Sequence, residues 1–241
     1  METLDTVNRE GRERLYPSLT NPSWLVLRKR REILQKWWAC LNERDLDVLD
    51  VGGRIQPYRP LLEGRLRRYV AVDLLRTPLV NLVARGEQIP LASDRFDLVI
   101  CTQVLEYVPE PASLIAEIHR VLKPGGCLWL SAPGVSPRDA DHECWRFLPA
   151  GLRHLLCGFD KVEVVPEGGS VVGFFRAINA CLNIFARYPA IRAVFRYTVF
   201  PVVNLVGALC DRLSDSSNDQ FAANYSVFAV KPGGDAKAGL A

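Results

Sequence analysis

Apolar residues in this chain gather into short runs separated by polar, glycine- or proline-bearing breaks. Val48-Leu49-Asp50-Val51 stops at Gly52-Gly53, and Tyr69-Val70-Ala71-Val72 ends on Asp73. Phe96-Asp97-Leu98-Val99-Ile100-Cys101 and Cys127-Leu128-Trp129-Leu130-Ser131 follow, then Asp160–Val165 and Tyr225–Val230. Runs of this length and β-branched content predict strands buried on both faces. Between them Pro111–Leu122 has helical period, with Leu114, Ile115, Ile118, Val121 and Leu122 inward, and Lys123-Pro124-Gly125-Gly126 closes it. A short helix is expected over Pro149–Leu156.

The flanks read differently. Residues 1–20 are polar and predict a loosely held arm, counted as 1–22. Asn21-Pro22 looks like a helix start, with Asn21 as N-cap and the helix running over 23–42. Its inward face is Leu27, Leu34, Trp38 and Leu41. Arg28, Lys29, Arg30, Arg31 and Lys36 fill a cationic face, either solvated or in contact with an anionic lipid or glycan phosphate. Pro57-Tyr58-Arg59-Pro60 starts a shortened first crossover helix. After Asp73 too few residues precede Leu79–Val83 for a second helix, so a loop is expected there.

The core thus spans 23–166, is interrupted by an insert over 167–223, and resumes with a last strand at 224–231 before a tail at 232–241. The insert predicts an apolar helix opening at Val171 and another at Pro189. The second approaches spanning length, yet Arg196 and Asn204 lie inside it and Pro201 kinks it. An arginine deep in hydrocarbon costs about 2.5–3.5 kcal/mol on insertion scales, so a simple span is rejected. Two readings stay open: a lid packed on the sheet or on a second subunit of a homodimer, and a hairpin lying in one leaflet. In the second, Arg187, Arg192, Arg196 and Arg212 reach headgroups while Phe195, Phe200 and Leu205 stay buried.

Composition narrows the class. With 241 residues, 49% apolar and 24% charged, the chain suits one large α/β domain with elaborations. A formal charge of +3 gives no reason to expect nucleic acid. Seven scattered cysteines without C-x-x-C spacing suggest reduced thiols in a cytoplasmic protein, and the charged N-terminus has no secretory signal pattern.

The chemistry concentrates at the first two strands. Glycines where the first strand turns allow backbone to approach a ligand. A carboxylate at the tip of the second, Asp73, is placed to accept both hydroxyls of a ribose. The run Gly52-Gly53-Arg54-Ile55-Gln56 lacks the dinucleotide fingerprint, which argues against a pyrophosphate site and leaves a nucleoside pocket or a plain glycine turn.

Three further blocks carry a resemblance: Phe96-Asp97-Leu98-Val99, then Val104-Leu105-Glu106-Tyr107-Val108, then Leu122-Lys123-Pro124-Gly125-Gly126. In this order and spacing, residues 45–165 resemble the class I S-adenosylmethionine-dependent methyltransferases, most nearly the type 11 methyltransferase domain. The resemblance implies a Rossmann-like α/β sheet, mostly parallel with an antiparallel last strand, and S-adenosylmethionine as cofactor. It implies that Asp50, Gly52 and Gly53 form the first motif, at the methionine end of the cofactor. Asp73 becomes the ribose acid, with Leu74 and Ile89 beside the adenine. Gly86 and Glu87 fall in the adenine loop, and Thr102 and Gln103 face the sulfonium. Arg54 and Arg85 depart from the family pattern, and put in question whether the cofactor is bound or the fold serves as an inactive scaffold.

Gln56-Pro57-Tyr58-Arg59 and Trp145-Arg146-Phe147-Leu148-Pro149 resemble methyltransferases of surface-polysaccharide and glycolipid biosynthesis. That implies O-methylation of a glycan or lipid-linked sugar, against a quinone or secondary metabolite as the alternative acceptor. The loop Asp139-Ala140-Asp141-His142-Glu143-Cys144-Trp145-Arg146 falls where such a fold holds its acceptor. His142 is the candidate base, oriented by Asp141 or Glu143, with Trp145 and Arg146 as sugar contacts; the alternative is an ordinary loop histidine. His142 and Cys144 have no second ligand pair at zinc spacing, so no metal is expected.

Overall fold

Strand β1 (Leu46–Val51) is buried along its whole length, as a run with apolar residues on both faces requires. In this computed structural model, which describes residues 2–41, 45–138, 140–185, 188–214 and 218–233, it is the centre of a seven-stranded sheet. Asn42, Asp139 and Arg187 lie outside the described residues. Parallel neighbours flank β1 on both sides, β2 (Leu66–Asp73) and β4 (Phe96–Thr102). Beyond β2 lies the two-residue β3 (Leu82–Val83), and beyond β4 lies β5 (Leu122–Pro133). The last strand, β7 (Asn224–Val230), inserts antiparallel between β5 and β6 (Asp160–Pro166). The order is therefore β3-β2-β1-β4-β5-β7-β6. This is the mostly parallel sheet with an antiparallel last strand that the sequence implies.

Helices cover both faces. On one, Leu49, Val51, Val99 and Leu128 pack with Leu114, Ile115, Ile118 and Val121 of α3 (Pro111–Val121) and Leu152 of α4 (Pro149–Leu155). These are four of the five inward residues its spacing predicts; the fifth, Leu122, is buried as the first residue of β5. On the other face Val48, Leu98, Ile100 and Trp129 pack with Leu34 and Trp37 of α2 (Trp24–Cys40).

The N-terminal region departs from expectation. Residues Leu4–Leu15 form a helix, α1, capped by the Thr3 side chain and burying Val7, Gly11 and Leu15 at spacing four. Gly11 lies so near the loop after β1 that a Cβ there would meet the Ile55 carbonyl oxygen at 2.4 Å. Helix α2 begins at Trp24, with Ser23 at its cap, because Asn21 Oδ1 closes a turn by accepting the Ser23 N–H at 2.8 Å. Its inward face is Val26, Arg30, Leu34 and Trp37, one turn apart, so Arg30 leaves the expected cationic face and is 1% exposed. The first crossover is only a 3₁₀ turn, Arg59–Leu62: Pro60 removes one donor and Glu63 is already extended.

The insert contains α5 (Ser170–Phe185), α6 (Pro189–Val194), a π-helical turn at Phe195–Val199, and α7 (Phe200–Leu213). The turn ends where Pro201 withholds an N–H, and the Thr198 hydroxyl donates to the Val194 carbonyl at 2.6 Å. Val172 and Ala208 pack against Leu25 and Val26 of α2. Asn204 Nδ2 donates to the Leu19 and Asn21 carbonyls at 2.8 and 2.9 Å, and Asn179 Nδ2 donates to Asn204 Oδ1 at 3.0 Å.

Arg30 owes its burial to Glu167, at the end of β6. Nε donates to Glu167 Oε1 at 2.8 Å, and the Ser131 and Ser226 hydroxyls donate to the same oxygen at 2.6 and 2.7 Å. Asn224 Nδ2 donates to Oε2 at 3.2 Å. Removing one member of a buried, hydrogen-bonded pair leaves the other charge uncompensated, typically at about 3–5 kcal/mol. Arg30→Met should lower unfolding stability by that order in urea titration, and adding Glu167→Gln should recover part of it. No loss in the single variant would refute the pairing.

Candidate active site

The sheet reverses its direction of winding between β1 and β4, and parallel α/β sheets bind ligands at the carboxyl ends of strands at such a point. A cleft of about 870 Å³ opens there. Gly52 ends β1 with φ +77, and a Cβ on it would come within 2.2 Å of Val104 Cγ2. Only glycine lets the turn lie under the loop that follows β4. Asp73 lines the cleft from the tip of β2, its Oδ1 accepting the Leu75 N–H at 2.8 Å. Leu74, Gly86 and Glu87 continue the same wall, and Thr102 and Gln103 come in from β4. Gln103 has φ +56, unusual for a non-glycine residue, and its side-chain amide donates to Ser131 Oγ at 3.2 Å.

Asp50, Gly53 and Ile89 are not part of that lining. Asp50 turns to the opposite face of β1, where the Tyr69 hydroxyl donates to its carboxylate at 2.6 Å. Burial pushes the Asp50 carboxyl up to about 7, against the pull of the Tyr69 hydrogen bond, and nearby Asp73 adds to the rise. Gly53 lies over the Asp50 side chain, and Ile89 is buried in the core with Leu114.

Arg54 and Arg85 are held by acids. The Arg54 guanidinium donates to Glu2 at 2.7 and 2.9 Å and to Glu10 at 3.1 Å, tying α1 to the glycine turn. Arg85 reaches Glu87 at 3.3 Å and is otherwise open to solvent. Glu10, Glu13 and Arg14 of α1 line the cleft as well, so α1 forms one of its walls. The alternation of Val7, Gly11 and Leu15 was the signal for this wall, sparse because one of its three positions is a glycine.

The acceptor side is built on the loop after β5. Cys144 N donates to the Glu106 carbonyl at 2.7 Å and Trp145 Nε1 to that of Val108 at 2.9 Å, which docks this loop on the segment after β4. His142, Glu143 and Arg146 line the cleft; Asp141 and Trp145 do not. Arg146 donates to Glu143 at 2.5 Å, and the Tyr107 hydroxyl to the other oxygen of Glu143 at 3.2 Å. The His142 ring lies 5.0 Å from that of Tyr107, tilted by 32°. Asp141 pairs with Arg138 at 2.9 Å and its side chain is 96% exposed, while Glu143 is engaged by Arg146 and Tyr107.

A second carboxyl, Glu106, stands out instead. It lines the cleft, is 2% exposed, and its Oε2 has no hydrogen-bond partner among the described residues. Burial pushes it up to about 7; Arg30 and Arg14 act in the opposite sense and Glu143 in the same one. An acid embedded in the apolar run Val104–Val108 was the sequence signal for it. Such a carboxyl can exchange a proton near neutrality.

Residues 49–130 match the family model described as a methyltransferase domain. A ubiquinone biosynthesis O-methyltransferase of Pseudomonas paraeruginosa is 38% identical over 112 residues, covering 45% of this chain and 41% of its own length. The chain therefore spans about two fifths of the length of this curated relative. Among solved structures, the [4+2]-cyclase SpnF superposes with TM-score 0.55 at 19% identity, covering 96% of this chain and 97% of its own. Haemonchus contortus phosphoethanolamine N-methyltransferase 2, solved with S-adenosyl-L-methionine, superposes with TM-score 0.55 at 15% identity, covering 92% and 60%. The fold is the Rossmann-like methyltransferase fold. One of these likenesses is a cyclase, a reminder that chemistry belongs to the site and not to the sheet.

Asp50 and Glu106, whose carboxyls burial pushes up, each contribute a stability that falls with rising pH. Asp50 titrates near 7 when folded and near 3.9 when unfolded, so the folded state holds the extra proton between those values. Stability is then lost as pH rises from about 4 to about 7. Asp50→Asn should shrink the difference in melting temperature between pH 5 and pH 8. An unaltered difference would place the titration elsewhere.

Proposed function

We propose that the chain is an S-adenosylmethionine-dependent methyltransferase acting on a hydroxyl of a small acceptor. What carries the reading is one cleft with a carboxylate at the tip of β2 and, on the acceptor side, a buried carboxyl one of whose oxygens has no partner among the described residues. The residues present suit the cofactor: backbone at Gly52 would admit its methionine end, Asp73 would accept hydrogen bonds from the ribose hydroxyls, and Gly86 and Glu87 would stand beside the adenine. A sulfonium has charge but no donors, so carboxylates and carbonyls are its proper surroundings. Arg54 and Arg85 fit the same picture, since acids neutralise both.

When bound, S-adenosylmethionine supplies an electrophilic methyl group. The remaining work is to place the acceptor oxygen in line and remove its proton. Tyr107, Glu143 and Arg146 form a fixed polar wall that orients the acceptor. Glu106 takes the proton, and His142 is the second candidate at the rim. The polar wall favours an acceptor with several hydroxyls, in keeping with a glycan or lipid-linked sugar. The relatives named ubiquinone biosynthesis O-methyltransferases favour a phenol or quinol. A screen of both acceptor classes with radiolabelled cofactor separates them.

Calorimetry with S-adenosylhomocysteine tests the pocket and separates an enzyme from an inactive scaffold. Asp73→Asn should weaken binding by roughly 1.5–3 kcal/mol, about ten- to a hundredfold, the range for hydrogen bonds to charged groups. Equal affinity in a folded variant would remove the ribose role, and no binding by the unaltered protein would leave only the scaffold.

Glu106→Gln should lower turnover by roughly 10²- to 10⁴-fold, the effect of losing a general base. It should also abolish the rise in rate with pH that a carboxyl titrating at about 7 produces. If His142→Gln shows that loss and Glu106→Gln does not, the proton goes to His142.

A further inference from the structure

Helix α7 buries one face against the body of the protein and exposes an apolar stripe on the other. Phe200, Asn204, Gly207, Ala208 and Asp211 point inward. Val202, Leu205, Val206, Leu209 and Leu213 point outward and are all exposed, with no polar residue breaking the stripe. Phe174 and Phe185 of α5, Val194, and Tyr197 of the π-helical turn are exposed as well. A face this large on a soluble domain marks a contact with something else.

Charge says what that is. From Gly168 to Cys210 the sequence has four arginines, Arg176, Arg187, Arg192 and Arg196, and no acid. Arg192, Arg196 and Arg212 are exposed. Within α7 the acid Asp211 points inward and pairs with Lys29 at 2.6 Å. An apolar stripe bordered by the exposed Arg196 and Arg212 complements an anionic lipid surface.

We propose that the outer face of α5–α7 docks on an anionic bilayer and lies flat in its headgroup region. The segment Pro189–Leu213 is long and apolar enough to span. Crossing would tear Asn204 from the Leu19 and Asn21 carbonyls and Asp211 from Lys29, so the helix stays on the body of the protein. A second copy of the chain fits less well. A two-fold contact through this face would set arginines against arginines, and residues 168–210 supply no acid to meet them. Docking through this face does not depend on the methyl-transfer reading of the cleft.

Flotation of the full chain with phosphatidylcholine vesicles, with and without phosphatidylglycerol, is the test. Protein should float with the anionic vesicles and stay behind with the neutral ones. Arg192→Glu/Arg196→Glu should weaken the association by about tenfold or more, each cation near an anionic surface contributing on the order of a fivefold factor. Leu205→Glu/Leu209→Glu should abolish flotation while melting temperature and S-adenosylhomocysteine binding hold. Should the leucine pair fail to fold, the arginine pair decides alone. The proposal is overturned if the protein ignores both vesicles, if the arginine variant floats like the unaltered chain, or if sedimentation shows a dimer that the leucine variant dissolves.

Discussion

Glu167 and Arg30 form the contact on which the rest of this structure turns. One buried carboxylate gathers an arginine from α2, hydroxyls from β5 and β7, and an amide from the start of β7. Through Ser131 and Asn224 the same group reaches Gln103, at the floor of the cleft. The helix before the sheet, the last strand, and the ligand-facing end of β4 are thereby fixed to a single point. In a low-dielectric interior such a network is costly if any member is missing and rigid when complete. The cleft inherits that rigidity.

Much of this was legible in the residue pattern. Leu114, Ile115, Ile118 and Val121 had to face one way on α3, and Phe96–Cys101 had to be a buried strand, because each repeats a single period with no competing signal. The place of Asp73 was legible as well, since a parallel strand that ends on an acid carries the carboxylate to the ligand-binding edge of its sheet.

What escaped did so for definable reasons. Helix α1 hides in a polar stretch because one of its three inward positions is Gly11, chosen for close approach rather than apolar area. Arg30 sits in a basic run whose members look alike, and only its distant partner Glu167 distinguishes it. The chemistry of Asp50 follows from which face of β1 it occupies, and that parity depends on Tyr69 across the strand. Long-range pairing decides all three, and no local period encodes it.

Asn204 has a consequence for how the chain is made. Its amide donates to carbonyls at Leu19 and Asn21, 185 and 183 residues earlier in the chain. During synthesis those carbonyls and α2 leave the ribosome first, and the two-faced helix emerges late, just before β7. The receiving surface is thus present before the most aggregation-prone segment arrives, which shortens the time that both its faces meet water. A circular permutant that moved α7 ahead of α2 would keep every native contact and reverse that order.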